Sequence, residues 1–506
     1  MTATIRGRLD KISLRWQARL DSEWADRTVP WLAAGTLFAL LAGLSLARAR
    51  SLDDGIDLAV YRQAAWMISR HLDPRVTLLA GGHLLSQQAA FGFYPIAWLT
   101  RIAPTIPTLL VVQSAALALG VVPLWLLARN VAQLRVGAAA ALLWAYSFYP
   151  ALHSVNLSDF HPEALALPAL LFAFYYGLEG RWVPYTTAAV VTVLMRADLA
   201  LAVAGIGILL LLEGRRRAGI ASIVIGLGYV ILAVFVLQPA FGNGSYAHAA
   251  AFATYGKTPA SIAGGMLTHP LQVVRDLTVE DNFSVIVFLL APVFFLPVVA
   301  PRYLLGIVPL EVLYLVGSVP IATTFGQQTI AATAFVFLAT TFALRRIGRR
   351  GVERITVDHR VLWALVLVST VFFIRDAPSS PYRQPWSWGG RDVADAARLA
   401  AVDAVHPDQS VRASPDLVPL LAQRTQIYAL PTGTRPDVRL AIALGNHSVG
   451  DHLSRAGRVD VIILDAASVP DWSENELRVF REGLERSGYR RRSSVEGVEV
   501  FESTRR

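Results

Sequence analysis

NLSDFHPEALALP, Asn156 to Pro168, sets Asp159, His161 and Glu163 between two strongly apolar segments. Moving a charged side chain into hydrocarbon costs roughly 2.5 to 3.5 kcal/mol, so polar groups at the ends of apolar runs face water or a protein-lined cavity. The stretch therefore reads as a junction between membrane spans, and its polar side chains as a candidate site.

Composition extends that reading to the rest of the chain. Of 506 residues, 54% are hydrophobic and 16% charged, and the mean hydropathy is +0.46, too apolar for an ordinary soluble domain. Apolar windows recur near 30–47, 106–128, 136–150, 162–178, 183–197, 198–213, 218–238, 283–300, 303–320, 326–344 and 360–376. At about 20 residues per crossing they predict about eleven spans in an α-helical polytopic membrane protein. The net charge of +9 lies in short arginine clusters beside apolar runs rather than along one basic face. Such clusters mark topology and predict no nucleic-acid partner. With no cysteine, disulfides, thiolate nucleophiles and cysteine metal sites are excluded. The chain also lacks GxxxxGK[ST], HExxH and GxSxG, which removes support for nucleotide hydrolysis, zinc proteolysis and the usual serine hydrolases.

Arg6, Arg8, Lys11, Arg15, Arg19 and Arg27, then Arg215 to Arg217, then Arg345, Arg346, Arg349 and Arg350 fall on one side when the spans are counted. Short cytoplasmic loops carry an excess of Lys and Arg, so that side is expected to be the cytoplasm of a plasma-membrane protein. The first apolar run reads as a retained span rather than a cleaved leader. The expected layout is a cytoplasmic segment 1–29, a transmembrane domain 30–376 with outer loops 48–104 and 239–282, a linker 377–390 and an extracytoplasmic α/β domain 391–506. In the first outer loop, DLAVYRQAAWMISR predicts an amphipathic interfacial helix, GGHLLSQQ a flexible connector and FGFYPIAWLT an aromatic interfacial piece. In the last domain, DVADAARLAAVDAV and ENELRVFREGLERSG have helical spacing. SVRASP, TQIYALP and VDVIILD read as strands, and YRRRSSVEGVEVFE as a closing hairpin.

Three polar groups carry candidate chemistry. Asp57, with Asp53 and Asp54 nearby, has the oxygen anion needed to take a proton from an incoming hydroxyl or to hold a hard divalent cation. Helix capping competes, because an Asp at a helix start satisfies free N–H groups. His161 and Glu163, beside Asp159, suit catalysis or metal binding, while Pro162 at a first helical position makes capping of the following span the rival reading. Arg196 and Asp198 interrupt a long apolar stretch; the guanidinium fork suits a lipid phosphate, against a local ion pair between the two.

On these residues the chain resembles the domain of unknown function 2079 family of predicted polytopic membrane proteins. The resemblance rests on DLAVYRQAAW at Asp57 to Trp66, VVQSAALALGVVPLWLLAR, DFHPEALALP at Asp159 to Pro168, MRADLALAVAGIG at Met195 to Gly207 and VRASPDLVPLLAQRTQIYALP. It covers most of residues 50–470. That family's layout is similar to GT-C type glycosyltransferases, which implies transfer of a sugar from a polyprenyl-phosphate donor at the outer face, with membrane lipids as partners. Asp57, His161 and Glu163 are then the catalytic candidates, and Gln63 and Asp198 join Arg196 as substrate-binding ones, with a divalent cation as the candidate cofactor. The chain departs from the family pattern at Arg62, Gly92 and Ala197. The alternative is a transporter, a lipid-handling protein or an envelope scaffold that uses the same cavity without making a bond.

Overall fold

The computed structural model describes residues 21–79, 81–242, 246, 248–317, 326–351, 354–431, 436–445, 457–469 and 472–504. The basic residues Arg6 to Arg19 lie outside the described residues, as does part of the second outer loop.

Among the described residues, five helices are long and apolar enough to cross a membrane by length and composition: Glu23–Arg50, Thr105–Val131, Arg216–Phe241, Thr329–Ile347 and His359–Ser387. Shorter apolar helices lie between them, at Val136–Ser147, Trp182–Met195 and Ala197–Leu212. The count of eleven continuous spans is not reproduced. Windows 283–300 and 303–320 become the helix Glu280–Leu290, a run of 3-10 turns and the helix Val308–Val316. Pro292, Pro297 and Pro301 each open one of those turns, because proline has no N–H to continue a helical ladder.

Thr329–Ile347 is the central helix, buried from Thr329 to Leu344. Its Thr333, Thr340 and Thr341 donate to carbonyls four residues back, so their hydroxyls need no partner outside the helix. A buried charge is answered just as locally at the end of Thr105–Val131. There Arg129 is fully buried and reaches Asp21 and Asp26, each at 2.6 Å.

The C-terminal elements follow the sequence expectations. Helix Val393–Asp403 leads into β1 (Val411–Ala413), β2 (Ile427–Ala429), β3 (Val461–Asp465), β4 (Tyr489–Val495) and β5 (Val498–Ser503), with helix Glu474–Arg486 before β4. The sheet order is β2-β1-β3-β5-β4. β1 pairs in parallel with β2 and β3, and β5 runs antiparallel to β3 and β4. All five residues of β3 are buried, as an unbroken apolar run covered on both faces requires.

The segment 48–104 differs most from expectation. Its helix, Ile56–Ser69, buries nine residues rather than laying one face on a membrane surface. Leu58, Ala64 and Ala65 share an apolar cluster with Phe93 and Phe160 on one side and with Leu417, Val418 and Leu421 of the C-terminal unit on the other. An amphipathic pattern is satisfied equally by lipid and by a second protein layer, and here protein covers it. GGHLLSQQ is not a loose connector: helix Leu84–Gln88 starts at His83, whose Nδ1 accepts from the Leu85 N–H at 3.1 Å.

Candidate functional site

The DFHP turn is held in place by two buried amides. Gln113, with no exposed surface, accepts from the His161 N–H at 2.6 Å and donates to the Asp159 carbonyl at 2.7 Å. Asn156 donates to the Leu41 carbonyl at 2.9 Å and to Ser45 Oγ at 2.8 Å, and accepts from Ser114 at 2.8 Å. These bonds fix the chain just before Asp159, whose φ of +73° is uncommon for a residue with a side chain.

That backbone aims the Asp159 carboxylate at another helix. It accepts from the Gly55 N–H at 2.7 Å and more weakly from Leu58 N–H at 3.4 Å, at the start of Ile56–Ser69. Gly55, the N-cap, has no side chain to do this itself. A Cβ at position 55 would come within 2.3 Å of an Asp159 carboxylate oxygen, so any larger residue there would push that carboxylate off the helix start. Capping is thus what Asp159 does, for a helix some hundred residues earlier rather than for the one that follows it. Pro162 occupies the first turn position as expected.

His161 is buried, and its Nε2 lies 2.7 Å from the Ser158 carbonyl. A carbonyl only accepts, so Nε2 carries a proton and donates it to Ser158. Asp57 sits on the first turn of Ile56–Ser69, open to solvent on one side and enclosed by protein on the others. Loss of water raises its pKa above the ordinary carboxylate value; His161 opposes that rise, and Asp159 and Glu163 add to it. Asp54 is pushed up to about 6, first by burial and then by the Asp159 charge, with Arg48 opposing. Asp53 instead pairs with Arg48 at 3.0 Å.

Glu163 links this group to a second one. It is fully buried, and its Oε1 accepts from Arg196 Nη1 at 2.5 Å. Arg196 lies in extended backbone between helix Trp182–Met195 and the turn that begins at Ala197. Its Nε donates to Asp198 at 2.7 Å and its Nη2 to the Tyr314 hydroxyl, which in turn donates to Asp198 at 2.6 Å. A guanidinium has five N–H groups, so two remain after these three bonds. Arg196, Asp198 and Tyr314 line a cavity of about 280 Å³, with Gln87, Gln88 and Gln238 on its wall.

A model of the DUF2079 family, described as a predicted membrane protein, matches residues 48–500. The chain belongs to that family. No curated protein matches it. The crystal structure of ArnT from Cupriavidus metallidurans in the apo state is similar to this DUF2079 protein, with a TM-score of 0.46, 12% identity, and 94% of this chain and 98% of that one covered. The structure of the same protein bound to undecaprenyl phosphate gives 0.46, 11%, 94% and 98%.

Of the candidate residues in this DUF2079 member, Asp57 lies within electrostatic reach of His161 and Glu163, and Arg196 bonds both Glu163 and Asp198. Gln63 does not join them. It is fully buried, its amide nitrogen donates to Thr77 at 3.0 Å and to the Arg424 and Thr425 carbonyls at 3.1 and 3.2 Å, and its oxygen accepts from the Thr77 N–H. Its neighbour Arg62, one of the departures from the family pattern, donates to the Pro419 carbonyl and to Gln423. Both residues fasten the C-terminal unit to Ile56–Ser69. Among the described residues, no three His, Asp or Glu side chains are grouped to hold a metal ion. Gln113, Tyr314, Gln87 and Gln88 went unnoticed in the sequence, since a lone polar residue in an apolar helix or short connector carries no local mark of the partner it meets.

Proposed function

We propose that this membrane protein transfers a sugar from a polyprenyl-phosphate donor to a hydroxyl acceptor at the outer membrane face. What carries the reading is the set of charges around Glu163, which pairs with Arg196 and lies within electrostatic reach of Asp57. On one side stands a carboxylate of raised pKa, Asp57, open to solvent; on the other, an arginine with unused N–H groups borders a cavity. In the proposed step the acceptor oxygen forms a bond to the anomeric carbon while the bond from that carbon to the phosphate oxygen breaks. The acceptor proton passes to Asp57, and the electron pair leaves with the phosphate, held by the remaining N–H groups of Arg196. Raising the pKa of Asp57 makes it a stronger base than an ordinary carboxylate. His161, anchored through Nε2, offers Nδ1 to orient the acceptor hydroxyl or to relay the proton. Glu163 and Asp198 position Arg196. No step is routed through a metal.

The test is transfer of a radiolabelled sugar from polyprenyl phosphate by the full chain in lipid nanodiscs. Loss of product in Asp57→Asn and in His161→Ala, with both variants still folded, is expected. Unchanged transfer in both would remove the enzymatic reading and leave the transporter or lipid-handling alternative, which predicts movement of lipid or solute without a covalent product.

A further inference from the structure

A second recess, of about 1000 Å³, is lined by Arg302, Arg345, Arg346, Arg350 and Arg354, with Glu213 as the acid on its wall. Three segments place it at the opposite end of the bundle from the cavity beside Arg196. The central helix Thr329–Ile347 runs from Gln328, on the cavity wall, to Arg345 and Arg346 in the recess, about 26 Å at 1.5 Å per residue. The stretch from Asp198 to Glu213 connects the same two ends, and so does the stretch from Tyr314 back to Arg302. That separation is close to the roughly 30 Å of a hydrocarbon core.

Among the described residues, carboxylates answer only part of the charge of this recess. Arg302 takes Glu213 at 2.8 Å. Arg345, Arg346 and Arg354 are oriented by backbone carbonyls, of Val131 at 3.2 Å, Val299 at 2.8 Å and Arg129 at 2.7 Å. A carbonyl fixes direction without cancelling charge. Arg354 also reaches Asp26 at 3.4 Å, but that carboxylate is held more closely by Arg129. The Arg350 side chain makes no hydrogen bond among the described residues, and it is exposed. Among the described residues Glu213 pairs with Arg302, and Arg345, Arg346 and Arg350 meet no carboxylate, which leaves a multiple positive charge around a space larger than a single inorganic ion needs. Guanidinium forks match phosphate oxygens in geometry, and several of them suit a group carrying more than one negative charge.

We infer that this recess binds a multiply charged phosphate, a phosphomonoester or diphosphate, either at the head of a lipid in the leaflet opposite the Arg196 cavity or free in solution. The site is independent of the transfer reaction.

Binding to the full chain in phosphatidylcholine nanodiscs tests it, with phosphatidic acid as the lipid probe and pyrophosphate as the soluble one. Arg345→Gln/Arg346→Gln/Arg350→Gln is expected to weaken at least one probe by about tenfold or more, and Glu213→Gln to strengthen it. Arg216→Gln/Arg217→Gln, which removes exposed arginines that do not line the recess, is expected to leave it unchanged. An effect on phosphatidic acid alone identifies a lipid ligand, and an effect on pyrophosphate a soluble one. Equal losses in the two arginine variants would mean diffuse attraction to basic loops and would overturn the site, as would no loss in either. If the triple variant does not fold, Arg350→Gln alone decides the matter: a drop of about threefold supports the site and none overturns it.

Discussion

The two ends of the helix Thr329–Ile347 treat arginine in opposite ways. At one end Arg196, 6% exposed, is met by Glu163, Asp198 and Tyr314. At the other, exposed Arg345 and Arg346 lean on neutral carbonyls, and Glu213 pairs with Arg302. The difference follows from water. A guanidinium withdrawn from solvent must find its counter-charges inside the protein, while one at a wet surface keeps its charge for whatever arrives. A single buried arginine is therefore architecture first and a ligand contact second, and a cluster at the surface is the reverse.

Four measurements bear on that contrast. Asp57→Asn removes the solvent-facing base without touching the ion-paired group, so transfer is expected to fall by about 10²- to 10⁴-fold with no loss of thermal stability. Arg196→Ala leaves Glu163 buried and unpaired, and is expected to cost about 3 to 5 kcal/mol in denaturation of the purified protein. Asp54→Asn addresses a carboxylate whose pKa is raised from 3.8 to about 6. The folded chain then holds that proton more tightly than the unfolded one, so its contribution is fully present below about pH 4 and is lost as pH rises through about 6. The variant is expected to be more stable than the parent at pH 7.5, by about 1 kcal/mol, with the gain fading toward pH 4. Arg345→Ala/Arg346→Ala is expected to change stability by no more than about 0.5 kcal/mol, because it leaves no counter-charge stranded. A large loss there would show that the two ends of the helix are alike.

Much of this was legible in the chain. The apolar windows and the polar break at DFHP mark themselves by composition, and β3 and the closing hairpin by period. The expected grouping of Asp57, His161 and Glu163 rested on each being polar where polarity is costly. Long-range pairing was not legible. Asp159 looks like a cap for the helix after it, and only the left-handed turn at that residue sends its carboxylate to Gly55 instead. Gln63 looks like a ligand contact because an amide on a helix gives no hint of carbonyls at Arg424 and Thr425. The helix Ile56–Ser69 looks like a membrane-surface element because its pattern does not say what will cover it. Windows 283–300 and 303–320 contain the prolines that break them, but average hydropathy is insensitive to a missing N–H.

The bonds made by Gln63 also impose an order of events during synthesis. The amide is enclosed, yet two of its acceptors lie 361 and 362 positions downstream. At about 5 to 20 residues per second, the ribosome delivers them roughly 20 to 70 s after Gln63 itself. The Gly55 clamp is completed sooner, once Asp159 emerges 104 positions later. The nascent protein thus carries helix Ile56–Ser69 without its C-terminal cover for most of its translation, until the stretch around Arg424 emerges to close it.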